Sequence, residues 1–170
     1  MGALIGHEIG HAFDDRGRQF DATGNPRDWW SAEDAARYDQ RVRALVAQLD
    51  RYEPLPGAHV NGALTSAEAL ADVGGLTIAY RAYRRSLKGG QPPVLDGLTG
   101  DQRFFLGWAR IWRAKERDDY VRSQLQVSAH LPPRFRANAA LVNVDAFYAA
   151  FGVRPAHRLY LAPADRVRVW

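Results

Sequence analysis

The chain has 170 residues, of which 46% are hydrophobic and 25% are charged, a composition typical of one globular domain and unlike that of a disordered chain. The absence of cysteine excludes disulfides, iron–sulfur clusters, cysteine-ligated zinc and a cysteine nucleophile. The net charge of +4 comes from 23 basic and 19 acidic residues that are mixed along the chain, and this lack of a basic stripe disfavours nucleic-acid binding.

Residues 1–13 are predicted to form a helix, because apolar residues recur there at helical intervals. Residues 14–28 are rich in Asp, Gly and Asn and are expected to form a loop. A long helix is predicted behind Ser31, which can cap it together with Asp34, and Pro54 follows its end. Its apolar residues form one stripe at intervals of three and four: Tyr38, Val42, Leu45, Leu49 and Tyr52.

A second long helix is predicted from Thr65 to the glycines and prolines at 89–93, with residues 59–64 as a connector. Gly74 and Gly75 lie inside it, and each costs about 1 kcal/mol relative to alanine in a helix interior. We therefore expect either a bend there or the close approach of another segment. Further helices are predicted at 99–112, 120–127 and 143–151, with an irregular segment at 130–133. No pair of strands is recognisable, so the predicted class is mainly α.

The motif that carries chemistry is His7-Glu8-Ile9-Gly10-His11, an HExxH pattern on the first predicted helix. Residues four apart lie on one face of a helix, so both imidazoles can reach one metal ion, and the glutamate can reach a water molecule beside it. With five histidines and five glutamates in the chain, chance predicts roughly 0.004 such motifs. Two unrelated surface histidines are therefore the weaker interpretation.

A catalytic zinc ion normally takes three protein ligands, so a third ligand has to be found. Glu68 lies on the second long helix with Asp72 one turn later, which suits a ligand and a carboxylate that supports a ligating histidine. Thr65 and Glu68 equally fit a capping box, in which the carboxylate only returns to its own helix terminus. Spacing leaves both interpretations open. The remaining histidines are isolated in loop-like segments: His59, His130 and His157.

Other segments accompany this motif along the whole chain. In order, they are FDDRG at 13–17, DWW at 28–30, EALADVGGL at 68–76, AYRAY at 79–83, FFLGWA at 104–109, IW at 111–112 and the closing RVW at 168–170. Together they resemble the neprilysin and endothelin-converting-enzyme family of zinc metallopeptidases in its bacterial type. The resemblance implies that residues 1–170 are the C-terminal part of a thermolysin-like, gluzincin-type catalytic domain.

The resemblance also implies a role for each matching residue at the metal. His7, His11 and Glu68 fall on the positions of the ligands to one Zn²⁺ ion, and Glu8 falls on the general base. Asp72 falls on the carboxylate that orients a ligating histidine, and the histidine that we expect it to orient is His7.

Further roles concern the peptide substrate. His130 falls on the histidine that stabilises the oxyanion, and Arg136 falls on the arginine that holds a substrate carbonyl. Leu4 and Trp112 fall on positions that line the pocket for the residue after the scissile bond. For Asp14 two roles stay open, support of a metal ligand and capping of its own loop.

The implied activity is zinc-dependent hydrolysis of small peptides, and the alternative is a truncated, catalytically silent zinc-binding remnant. The family's substrate-binding edge strands and helical cap domain precede HExxH and are missing from this sequence. The expected partners are therefore a peptide and the N-terminal portion of the same protein, and apolar surface should be exposed without the latter. No apolar run approaches the roughly 18 residues of a membrane-spanning helix and no signal peptide is recognisable, so the compartment, bacterial cytoplasm or export, stays open.

Overall fold

A computed structural model describes residues 1–168, so Val169 and Trp170 of the RVW motif lie outside the described residues. Within this range the chain forms α-helices joined by turns, and the only β-type pairings are isolated bridges, which confirms the mainly α class. The helices are α1 Gly2–Gly10, α2 Ala32–Leu49, α3 Gly62–Ser86, α4 Gly100–Ile111, α5 Asp118–Val127, α6 Pro133–Leu141 and α7 Asp145–Phe151. Three short 3₁₀ turns occupy His11–Phe13, Gly17–Gln19 and Pro163–Asp165. None of the helices in residues 1–168 combines the length and the apolar character needed to cross a membrane.

Two of the predicted helices begin where their capping residues indicate. The hydroxyl of Ser31 accepts a hydrogen bond from the Asp34 amide at 3.1 Å and caps α2. A reciprocal capping box of Thr99 and Gln102 begins α4. The first helix is shorter than predicted, because regular α-helix ends at Gly10 and the chain continues in a 3₁₀ turn.

The predicted start of α3 at Thr65 is wrong. The cap is Asn61, whose side chain accepts a hydrogen bond from the Leu64 amide at 3.0 Å. Thr65 is already helical, and its hydroxyl donates to the Asn61 carbonyl at 2.9 Å. Because the helix begins one turn earlier, the capping-box interpretation of Glu68 is wrong as well.

The helix α6 has no counterpart among the predicted elements, since its first residues were expected to belong to an irregular segment. Pro133 occupies its first turn, where the missing amide hydrogen of proline has no consequence. Its buried face consists mainly of small alanines, so no apolar stripe marks it in the sequence. The buried residues are Ala137, Ala139, Ala140 and Leu141.

The helix α3 runs through the centre of the molecule. It packs most extensively on α1 and also contacts α2 and α6, and every residue from Ala69 to Leu76 is buried. One hydrophobic cluster joins α3 to α1, α4, α6 and α7, and a second joins it to α2, α6 and the C-terminal segment. Glu68 and Asp72 therefore lie on the most firmly packed element of the chain.

The crossing of α1 and α3 is a contact between backbones. A Cβ on Gly6 would lie 2.8 Å from Gly75 Cα, and a Cβ on Gly75 would lie 2.3 Å from the Ala3 carbonyl oxygen. The close approach expected at the glycine pair is thus confirmed, with α1 as the approaching segment. Small residues flank the crossing on both sides, where Gly2 faces Ala79 and Gly10 faces Ala71.

Candidate metal centre

The first histidine of the HExxH motif is held between two carboxylates. His7 is buried on the face of α1 that packs against α3. Its Nδ1 lies 2.8 Å from Asp72 Oδ1, and its Nε2 lies 3.2 Å from Glu68 Oε2. Burial lowers the pKa of His7, but the adjacent carboxylates of Asp72 and Glu68 outweigh burial and raise it to about 9.

The second histidine lies just beyond the regular helix. His11 begins the 3₁₀ turn, yet its ring centroid is 4.7 Å from that of His7 and the two rings are nearly perpendicular. The two Nε2 atoms are 3.1 Å apart. Its other nitrogen, Nδ1, lies 2.8 Å from Asp14 Oδ2. The spacing of four residues thus brings both imidazoles to one point.

Glu68 reaches the same point from α3. Its Oε1 lies 3.6 Å from His11 Nε2, and the ligand-type atoms of Glu68, His7 and His11 all lie within 4.8 Å of one another. Burial raises the pKa of Glu68, but the neighbouring imidazoles of His7, His130 and His11 lower it below its ordinary value. Its Oε2 is buried and accepts no well-aligned hydrogen bond from residues 1–168.

This donor set fits a zinc ion. Two neutral imidazole nitrogens and one carboxylate oxygen are the protein ligands of many catalytic zinc sites, in which a fourth position stays open. The three residues come from two helices, and Glu68 keeps a buried oxygen available. They also form the one group of three potential ligands found in the described part of the chain.

An arginine that the sequence suggested for substrate binding is tied to the supporting carboxylate. Arg136, on α6, donates from Nε to Asp72 Oδ2 at 2.6 Å and from Nη2 to Asp72 Oδ1 at 3.1 Å. Its guanidinium carbon lies 4.2 Å from the ring centroid of Trp112, and Nη2 is 3.5 Å from His7 Nε2. The pairing of Arg136 with Asp72 spans 64 positions and has no local signal in the sequence.

The remaining predicted site residues lie around this centre. The Nε2 of His130 is 2.9 Å from Glu68 Oε2, although about half of the side chain is exposed. Glu8 is exposed on α1 directly beside His7. Leu4 is half-buried on the same helix. Trp112 lines the cleft beside the centre, and Leu4 is not among the lining residues of that cleft.

A cleft of about 230 Å³ adjoins the centre between the end of α4, α5 and the start of α6. Two of its lining residues, His130 and Arg136, lie within 2.9 Å and 3.6 Å of Glu68 Oε2, so the cleft opens beside the potential ligands. Its walls also include polar side chains from α5 and two prolines. The lining residues are Trp112, Glu116, Tyr120, Gln124, Ser128, His130, Leu131, Pro132, Pro133 and Arg136.

Comparison with known proteins gives a consistent result. Residues 1–167 match Peptidase family M13. The sequence is 35% identical to "Neutral endopeptidase" of Lactococcus lactis, over the whole of this chain and 25% of that relative. It is 37% identical to human "Neprilysin", over the whole of this chain and 23% of that relative. The chain thus spans about a quarter of the length of these relatives.

Solved structures agree with this assignment. The crystal structure of the zinc metalloprotease Zmp1 of Mycobacterium tuberculosis with an inhibitor superposes with a TM-score of 0.96 at 49% identity, covering 99% of this chain and 26% of Zmp1. PepO from Lactobacillus rhamnosis superposes with a TM-score of 0.86 at 38% identity, covering 100% of this chain and 25% of PepO.

Proposed function

The chain belongs to peptidase family M13, and from this premise we propose that it forms the metal-binding and catalytic part of a zinc-dependent endopeptidase that hydrolyses small peptides. The observation that carries the proposal is the convergence of His7, His11 and Glu68, whose ligand atoms lie within 4.8 Å of one another. These three residues would hold one Zn²⁺ ion per chain. When bound, the ion supplies a Lewis acid that polarises a peptide carbonyl and makes water a stronger acid.

Asp72 is proposed to orient one of these ligands, His7. Its Oδ1 lies 2.8 Å from Nδ1 of His7, and an acceptor at this position favours the proton on Nδ1 and the lone pair on Nε2, which would then face the proposed metal position. The two hydrogen bonds from Arg136 hold the Asp72 carboxylate in turn. The buried ion pair of Arg136 and Asp72 therefore favours one tautomer and one orientation of the His7 ring.

Glu8 is proposed to move the protons. It follows His7 on α1 and is exposed, so its carboxylate is accessible to water. As a general base its carboxylate would take a proton from the attacking water, and as a general acid it would return that proton to the leaving amine. Proton transfer of this kind contributes about 10²- to 10⁴-fold to a rate.

His130 and Arg136 are proposed to act on the substrate. The imidazole of His130 lies beside Glu68 on the exposed side of the centre, where it can donate a hydrogen bond to the carbonyl oxygen as negative charge develops. Removal of such a donor costs roughly 3–4 kcal/mol of transition-state stabilisation. Arg136 borders the cleft and retains N–H groups beyond the two used by Asp72, so it can bind a substrate carbonyl. Trp112 and Leu4 are proposed to contact the residue after the scissile bond.

Two exposed residues on α1 support a further part of the proposal. Ile5 and Ile9 lie one turn apart on the helix that carries the ligands, with exposures of 55% and 59%. Neighbouring exposed apolar side chains can form part of an interaction site. We propose that the N-terminal portion of the same protein covers this face and contributes the strand with which a substrate backbone pairs.

The lack of a strand beside α1 in the described residues supports a second candidate function. No strand accompanies α1 among residues 1–168, so this chain by itself offers no edge for a peptide backbone. A zinc-binding segment that is catalytically silent would look the same at the metal centre. Hydrolysis, measured together with metal content, separates the two functions.

The experiment loads the 170-residue chain and its Glu8→Gln variant with zinc and follows cleavage of a quenched fluorescent peptide. Both proteins should bind one zinc ion. The unmodified chain should cleave slowly, and Glu8→Gln should cleave at least about 100-fold more slowly. Glu33→Gln, on the exposed surface of α2, is the matched control and should resemble the unmodified chain. Equal cleavage by Glu8→Gln would refute the role of Glu8, and zinc binding without any cleavage would favour the silent segment.

A further inference from the structure

We propose that Asp14 is a positioning residue that selects the tautomer of His11 needed for metal binding. The proposal rests on the function proposed above and adds a residue to it. The sequence left Asp14 with two alternative roles, support of a ligand or capping of its loop. The structure shows one carboxylate whose two oxygens make both kinds of contact.

The position of His11 creates the need for such a residue. Regular α-helix ends at Gly10, and His11 lies in the 3₁₀ turn that follows. Its side chain is 29% exposed, whereas that of His7 is 5% exposed and enclosed by α3. Packing therefore restrains the ring of His11 less than that of His7. Within residues 1–168, the only hydrogen-bond partner of His11 Nδ1 is Asp14 Oδ2.

The carboxylate of Asp14 is itself held firmly. The side chain is 9% exposed, and its Oδ1 accepts hydrogen bonds from the amides of Arg16 at 2.9 Å and Gly17 at 2.8 Å. The loop folds back so tightly that a Cβ on Gly17 would lie 1.9 Å from the His11 carbonyl oxygen. The remaining oxygen, Oδ2, is thereby directed at His11 Nδ1 at 2.8 Å.

This arrangement determines which nitrogen of His11 carries the proton. A carboxylate only accepts hydrogen bonds, so the short contact requires the proton on Nδ1. The lone pair is then on Nε2, which lies 3.1 Å from His7 Nε2 and 3.6 Å from Glu68 Oε1. In the opposite tautomer, Nε2 would carry a hydrogen and could not bind a metal ion.

Asparagine at this position separates the two roles. In Asp14→Asn, the amide oxygen can keep the bonds to Arg16 and Gly17, but the amide nitrogen then donates towards His11 Nδ1 and favours the wrong tautomer. If the amide rotates instead, its oxygen serves His11 and the two loop amides lose their acceptor. Asp14→Asn therefore cannot satisfy the loop and the ligand together.

The experiment compares the unmodified chain with Asp14→Asn, Asp14→Ala and the exposed control Asp15→Asn. Zinc affinity is measured by competition with a chromophoric chelator, and stability is measured by urea unfolding in EDTA. Asp14→Asn should bind zinc about 10- to 100-fold more weakly with an unchanged unfolding midpoint, and Asp14→Ala should lose both affinity and stability. Asp15→Asn should match the unmodified chain.

A second measurement needs no variant to fold. Long-range ¹H–¹⁵N spectra of the metal-free chain, taken where His11 is neutral, should show its proton on Nδ1. Wild-type zinc affinity together with an unchanged unfolding midpoint in Asp14→Asn, or a His11 proton on Nε2 in the unmodified chain, would overturn the proposal. An unmodified chain that binds no zinc but keeps the Nδ1 proton would instead refute the proposed function.

Discussion

Substitution of Gly75 by alanine would place a methyl group at the closest point between α1 and α3. The new Cβ would lie 2.3 Å from the Ala3 carbonyl oxygen and 2.5 Å from the His7 amide nitrogen, whereas ordinary contact begins at 3.4 Å. Both neighbours are backbone atoms and cannot rotate away, so α1 must move by about 1 Å, and overpacking of this kind costs roughly 1–3 kcal/mol.

The higher helix propensity of alanine offsets part of this cost, so the two effects have to be measured separately. Alanine is about 1 kcal/mol more favourable than glycine in a helix interior. A Cβ on Gly107, in α4, would meet no atom within 4 Å apart from its own helix backbone and its chain neighbours, so Gly107→Ala should gain helix propensity without any overpacking. The difference in unfolding free energy between Gly75→Ala and Gly107→Ala should therefore equal the overpacking cost of roughly 1–3 kcal/mol.

The same movement should disturb the metal centre. His7 is next to the new methyl group, and its Nε2 is 3.2 Å from Glu68 on the opposite helix. Separation of the helices should weaken zinc binding by at least about tenfold, the loss typical when support of a ligand is removed. Urea unfolding and chelator competition on both variants test this account. Equal stability and equal zinc affinity for Gly75→Ala and Gly107→Ala would refute it.

Two further predictions concern the metal-free chain. The pKa of His7 is raised from 6.5 to about 9 in the folded state, so its contribution to stability should be complete below pH 6.5 and lost as the pH rises through 9. Urea unfolding midpoints in EDTA should therefore fall across this range. A flat profile would contradict the pairing of His7 with the carboxylates of Asp72 and Glu68. Asn143 is 3% exposed and accepts a hydrogen bond from the Val167 amide at 2.7 Å. Asn143→Ala should destabilise the chain by about 1–3 kcal/mol, because it leaves a buried amide unpaired, and a loss equal to that of the exposed control Gln40→Ala would rule this out.

Local signals predicted much of the helical framework. Ser31 and Thr99 are side-chain caps, and both begin helices as expected. Gly75 indicated a close contact, although nothing near it in the sequence identified α1 as the partner. The start of α3 was misplaced because Asn61 precedes residues without a clear pattern, and α6 was missed because alanines form its buried face.

Spacing alone predicted only part of the candidate site, and the place of Glu68 and Asp72 was implied by the family resemblance. The interval between His7 and His11 ensures that the two imidazoles converge, even though the helix ends before the second one. The bond between Arg136 and Asp72 depends on how α6 packs against α3, which no local pattern encodes. The two contacts of Asp14 depend on the fold of its loop, so the sequence could only offer alternatives.

The central claim is that His7, His11 and Glu68 bind one zinc ion. Zinc content after gel filtration, combined with X-ray absorption at the zinc edge, tests it most directly. The account predicts one ion per chain with nitrogen and oxygen ligands at about 2.0–2.2 Å, a large loss of affinity in Glu68→Gln and no loss in the control His157→Ala. An unmodified chain without zinc, or a Glu68→Gln variant that binds zinc as tightly as the unmodified chain, would contradict it.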